Sequence, residues 1–223
     1  MNGIEGKLNI GKFINRIIFY IIGLFFIAIG VAFSVNSQLG VSPVNSLPYV
    51  ISEITGKDLG TMVIVVFSIY ILIQILLLRK EFKWINLTQL VFSTIFGYFV
   101  DFTKHIVGDF AIPTYLGKLT MLAISIVFIA IGVCIYVNTY LVNMPMEGMT
   151  AAVQKKVFKN KSFSDVKVIM DCLAVFIGII LSFTFLGRLV GIREGTILSA
   201  VLVGKVMKPI QKLIIPTIEK FCF

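Results

Sequence analysis

Carboxylates and amides set within long apolar stretches are the side chains of this sequence best placed to do chemistry. Asn36, Asn45 and Ser46 lie around Pro43 in the first half of the chain, and Asn138, Asn143 and Glu147 lie around Pro145 in the second. Glu147 takes the place of Asn45 when the two halves are laid over one another. A carboxylate from one half facing an amide from the other would give a shared cavity an uneven charge, suited to a cation, an ammonium group or a proton. The alternative is a hydrated carboxylate at the level of the lipid headgroups. Ionisable groups at membrane depth cost ~2.5 to 3.5 kcal/mol each on insertion scales, so Asp171 and Asp101 are further candidates, with Lys205 a weaker one. Asp171 either lines a path, pairs with Lys205 or reaches the nearby interface, and Asp101 either does the same or marks the end of its span. Gln74, Gln89 and Thr94 are inward-facing polar candidates, whereas Glu194, before Gly195 and Thr196, reads as a helix-start residue.

The same inventory excludes much. There is no phosphate-binding Gly-x-x-x-x-Gly-Lys-Ser/Thr loop, no His-Glu-x-x-His and no Gly-x-Ser-x-Gly. His105 is the only histidine, so general bases are scarce and the sequence predicts no enzyme, no cofactor and no metal site. Cys134 and Cys172 fall in apolar segments and Cys222 is left over, so no disulfide framework is implied.

The elements that must hold these residues follow from composition. Of 223 residues, 58% are hydrophobic and 14% charged, against ~25% charged in a soluble domain, and the mean hydropathy is +0.99. A small globule has too little interior for so much apolar surface, and a bilayer removes that difficulty. The net charge of +9 comes from Lys and Arg clustered between apolar segments, which suits anionic lipid headgroups and not nucleic acid. Apolar segments at 17–35, 62–78, 85–107, 119–141, 166–186 and 195–215 predict six transmembrane helices. The first is too long for a signal peptide. With the N-terminus inside, 15 Lys and Arg fall on the inner side and 5 on the outer, so both termini are predicted cytoplasmic.

An internal repeat organises these spans. Residues 26–31 (Phe-Ile-Ala-Ile-Gly-Val) recur letter for letter at 128–133, and in the same register Asn36 matches Asn138, Leu39 matches Leu141 and Pro43 matches Pro145. A weaker echo aligns Thr94-Ile-Phe-Gly97 with Val201-Leu-Val-Gly204. Residues 1–110 and 111–223 thus read as two three-span repeats of one membrane domain. Three is odd, so the second repeat is inverted relative to the first. Segments 40–55 and 143–158 are too short and polar to cross, and each reads either as a broken, re-entrant helix or as a surface-lying connector. Gly23, Gly30, Gly97, Gly132, Gly178 and Gly204 would allow close helix approach, Gly30 and Gly132 at equivalent places.

The Gly40-Val-Ser-Pro43 segment after the first span, the matching Pro145 segment and the closing Glu194-Gly-Thr-Ile-Leu-Ser-Ala-Val-Leu-Val-Gly204 together resemble the YczE/YyaS/YitT-type bacterial membrane proteins. The resemblance covers nearly the whole chain and implies a small multispan protein of the bacterial cytoplasmic membrane, without a substrate attached to it. Inverted repeats meeting at a midplane site are a transporter architecture. The leading expectation is therefore a secondary transporter of a small polar or zwitterionic solute, working by alternating access and coupled to a proton or cation through Glu147 or Asp171. The expected site is Asn36, Asn45, Ser46, Gln89, Asn138, Asn143, Glu147 and Asp171. Two other readings are a substrate-binding membrane subunit of a vitamin uptake complex, for which Ala28 and Ala32 have a suitable small-residue spacing, and a non-transporting accessory membrane protein. One chain or a homodimer would enclose the cavity.

Overall fold

The computed structural model describes residues 10–223; Lys7, counted among the basic residues on the inner side, lies outside them. The described chain is helical, with no strand. Its helices are α1 (Ile10–Ser37), α2 (Pro43–Thr55), α3 (Leu59–Leu78), α4 (Thr88–Val107), α5 (Tyr115–Val137), α6 (Pro145–Lys156), α7 (Phe163–Leu186) and α8 (Glu194–Cys222). Two 3-10 turns, Arg79–Glu81 and Trp84–Leu87, join α3 to α4.

Local signals account for most boundaries. The two short helices both begin on a proline, Pro43 and Pro145, whose fixed φ suits a first helical turn and whose missing N–H costs nothing there. The Ser162 hydroxyl accepts from the Asp165 N–H while the Asp165 carboxylate accepts from the Ser162 N–H, a capping box that starts α7. α1 begins before the apolar run because Lys12 and Arg16 find partners distant in sequence: Lys12 reaches the Phe223 carbonyl, and Arg16 donates to Thr139 O at 2.7 Å and Tyr140 O at 2.6 Å, just after α5. α5 stops at Val137, short of the expected 141, as the chain turns through Tyr140 at φ 50°. Its repeat counterpart Gln38 sits at φ 57° after α1, so the same left-handed step leads into each short helix.

Among the described residues, five helical stretches are long and apolar enough to cross a membrane: Ile10–Ser37, Leu59–Glu81, Trp84–Val107, Tyr115–Val137 and Phe163–Leu186. The sixth expected segment, 195–215, is helical within α8 but is not among these five: Lys205, Lys208 and Lys212 interrupt its apolar run, all three are exposed, and Pro209 and Pro216 lie within the helix.

The order long, short, long, long occurs twice. α1 and α5 form the central seam, and its contacts come in exchanged pairs. A Cβ on Gly23 would lie 2.8 Å from Gly132 O, and a Cβ on Gly30 would lie 2.9 Å from Ser125 O; Ser125 is the counterpart of Gly23. Phe26 and Phe128, counterparts of each other, have ring centroids 5.8 Å apart. The short helices cross over: α2 packs on α7 and α6 on α3. One pairing is not matched, for α3 packs closely on α4 while α7 does not pack closely on α8. The main core, around Tyr20, Leu24, Phe67 and Phe96, joins α1, α3 and α4 to Met146 and Met149 of α6.

Candidate functional site

The starts of the two short helices end up at one interior cavity. Polar groups anchor the start of α6 within the bundle: the Tyr20 hydroxyl donates to Val142 O at 3.2 Å and Gln74 Nε2 to Pro145 O at 3.1 Å. At its other end, Lys155 pairs with Glu81 at 2.7 Å and Lys156 with the same carboxylate. α2 is held at its approach by backbone bonds, Val41 N to Gly191 O at 2.9 Å and Gly195 N to Leu39 O at 2.7 Å. The cavity between them is about 290 Å³, and every one of the eight helices contributes to its wall. Most of that wall is apolar, including Ile27, Phe67, Phe96, Ile129 and Val203; the polar members are Ser42, Asn45, Glu147, Lys167, Asp171 and Ser199, with the Tyr136 hydroxyl.

Four buried side-chain oxygens lack any hydrogen-bond partner among the described residues: Asn45 Oδ1, Glu147 Oε2, Ser199 Oγ and the Tyr70 hydroxyl. The first three belong to residues that line this cavity. Asn45 is 4% and Ser199 1% exposed, and an orphaned buried polar group costs about 1–3 kcal/mol. The amide oxygen is an obligate acceptor, the carboxylate oxygen accepts when ionised, and the hydroxyl can also accept. The arrangement is short of donors. Asp171 is spoken for, since Lys167 Nζ lies 2.6 Å from its Oδ1 one helical turn away. That leaves Glu147 as the acidic group of the cavity without an ion-pair partner among the described residues.

Of the residues the sequence nominated, Asn45, Glu147 and Asp171 meet here. Asn36, Ser46 and Asn138 bond backbone carbonyls instead. Asn36 Nδ2 donates to Gly108 O at 2.7 Å, tying the end of α1 to the loop after α4. Ser46 is buried and donates to Pro43 O at 2.7 Å, and Asn138 donates to Cys134 O at 2.6 Å. Gln89 is buried and accepts from Gln74 Nε2 at 3.0 Å, steadying the side chain that holds Pro145. Asn143 is exposed on a separate cleft with Gln74 and Gln89. Asp101 Oδ1 accepts from Gly60 N at 2.6 Å and so caps the start of α3. Lys205 is not the partner of Asp171. Ala28 and Ala32 are 0% and 2% exposed, buried within the bundle, and offer no face to an outside subunit. Sequence reasoning missed Lys167 and Ser199. A basic residue one turn before Asp171 was a usable signal; Ser199 carries none beyond its place in the closing segment.

The fold and cavity define a polytopic, all-helical membrane protein. Residues 14–212 match DUF6198, described as a family of unknown function, and the chain belongs to that family. It is similar to the uncharacterized membrane protein YczE of Bacillus subtilis (strain 168), 26% identical over 200 residues that span 88% of this chain and 86% of the relative. It is also similar to the uncharacterized protein YyaS of the same organism, 25% identical over 140 residues, 62% of this chain and 68% of the relative. The resemblance read from the Pro43, Pro145 and 194–204 segments is thereby borne out. No solved structure matches the chain.

Proposed function

We propose that this protein is a secondary transporter, not an enzyme, for a small solute carrying a cationic nitrogen. In this reading α8 is the sixth span, the two three-span halves are inverted repeats, and both termini face the cytoplasm of a bacterial cell. The observation that carries it is the meeting of three unpartnered oxygens, on Asn45, Glu147 and Ser199, at one cavity between the halves.

An ammonium group supplies the donors that these oxygens lack and balances the Glu147 carboxylate. The apolar remainder of the wall suits the body of the solute. The start of α2 has no side-chain cap and no acidic residue in its first turn, so a zwitterion would set its carboxylate there and its ammonium on Glu147. Glu147 holds either a proton or the cationic solute, and that exclusivity couples the two. Rocking of the halves about the α1 and α5 seam then carries the occupied site from one side to the other.

The test uses a panel of small amines from ethylammonium to phenethylammonium, read by thermal stabilisation of the purified protein and by uptake into proteoliposomes under a pH gradient. Glu147→Gln should keep the fold and lose roughly 10- to 100-fold in affinity, the worth of a charge-assisted hydrogen bond. Full uptake by that variant would end the proposal.

A further inference from the structure

The two repeats differ most in how their last two helices meet. In the first, α3 and α4 close over a pair of glycines: a Cβ on Gly97 would lie 2.7 Å from Gly60 O, and a Cβ on Gly60 would collide with Gly97 O. Gly204 of α8 stands where Gly97 stands on α4, yet a Cβ there would meet nothing within 4 Å. It faces the cavity instead of a neighbouring helix.

Between α7 and α8 runs a groove of about 440 Å³, lined by such residues as Val168, Cys172, Phe176, Ile197 and Val201. All five are exposed. α7 is a candidate span, so side chains along its flank face hydrocarbon. Pro43, Asp171 and Ala200 line both the groove and the interior cavity, so the two adjoin across these three residues. An apolar surface on the lipid side thus abuts a cavity that holds an excess carboxylate with unpartnered acceptors.

We propose that the cavity opens sideways into the bilayer between α7 and α8 and takes an amphiphilic alkylammonium, its nitrogen at Glu147, Asn45 and Ser199 and its hydrocarbon tail in the groove. This rests on the reading of the cavity as a site for a cationic nitrogen, and it does not need transport. Charge complementarity selects the head, and the groove adjoining the cavity across Pro43, Asp171 and Ala200 selects a tail attached to it. A tail alone would gain little, because lipid chains are as apolar as the groove.

Cys172 supplies the readout, being exposed while Cys134 and Cys222 are buried. In nanodiscs, the rate of Cys172 labelling by N-ethylmaleimide would be measured with dodecylammonium, ethylammonium and dodecanol. Dodecylammonium at ten times its dissociation constant should slow labelling about tenfold by simple occupancy. Ethylammonium should stabilise the protein without protecting Cys172, and dodecanol should do neither. Glu147→Gln should remove the protection, and Val201→Trp, in the groove and outside the cavity wall, should lose dodecylammonium while keeping ethylammonium. Equal protection by dodecanol, or stabilisation by dodecylammonium with Cys172 unprotected, would overturn the sideways opening and leave the cationic site standing. Failure of every amine to bind would overturn both.

Discussion

Lys167 and Asp171 are worth more as a pair than singly. They sit one turn apart on α7 with Nζ and Oδ1 at 2.6 Å, each roughly a fifth exposed at the cavity wall. Lys167→Met alone leaves a partly buried carboxylate without its counter-charge and should destabilise the protein by about 1–3 kcal/mol. The double change to Lys167→Met and Asp171→Asn should recover most of that in thermal unfolding; no recovery would mean that the lysine matters for something other than Asp171. Ser125→Ala removes the bond from its hydroxyl to Gly30 O, 2.7 Å long, and should cost only about 0.6 kcal/mol, the mean for hydrogen bonds between membrane helices. At this scale the sequence told part of the story. The repeat register put Glu147 opposite Asn45, and both reach the cavity. The same register drew in Asn36 and Asn138, whose side chains spend their donors on Gly108 and Cys134 carbonyls. Register alone cannot separate an amide that binds a ligand from one that ends a helix.

Glycine positions decide how the helices come together. Gly132→Val should destabilise by at least the roughly 1–3 kcal/mol typical of overpacking, since its new Cβ would sit 2.8 Å from the Ile27 N. Gly204→Ala should leave thermal stability nearly unchanged because the space beside it is open. A comparable loss from both would show that α8 meets a neighbour absent from this arrangement. The helices themselves were largely legible, because runs of about 20 mostly apolar residues admit few other readings. α8 was less so. Its lysines and two prolines belong to a helix whose exposed face composition does not describe. The gap between α7 and α8 left no trace at all, for packing between elements depends on shapes that one sequence does not display.

For the whole molecule the decisive property is direction. Single cysteines at Lys57, before α3, and Lys159, before α7, both exposed positions, would be labelled in intact cells with an impermeant reagent. Labelling at 57 from outside, and at 159 only after permeabilisation, supports oppositely directed halves; labelling of both from outside would remove alternating access between inverted repeats. The crossover of α2 onto α7 and of α6 onto α3 bears on how such a molecule is made. α2 ends at Thr55 and its partner α7 begins at Phe163, roughly a hundred residues later, which at ordinary translation speeds is a wait of roughly 5 to 20 s. For that time Asn45 and the uncapped start of α2 lack the walls that α7 and α8 supply. Insertion of the early spans can proceed with synthesis, but assembly of the cavity must wait until the last helices leave the ribosome.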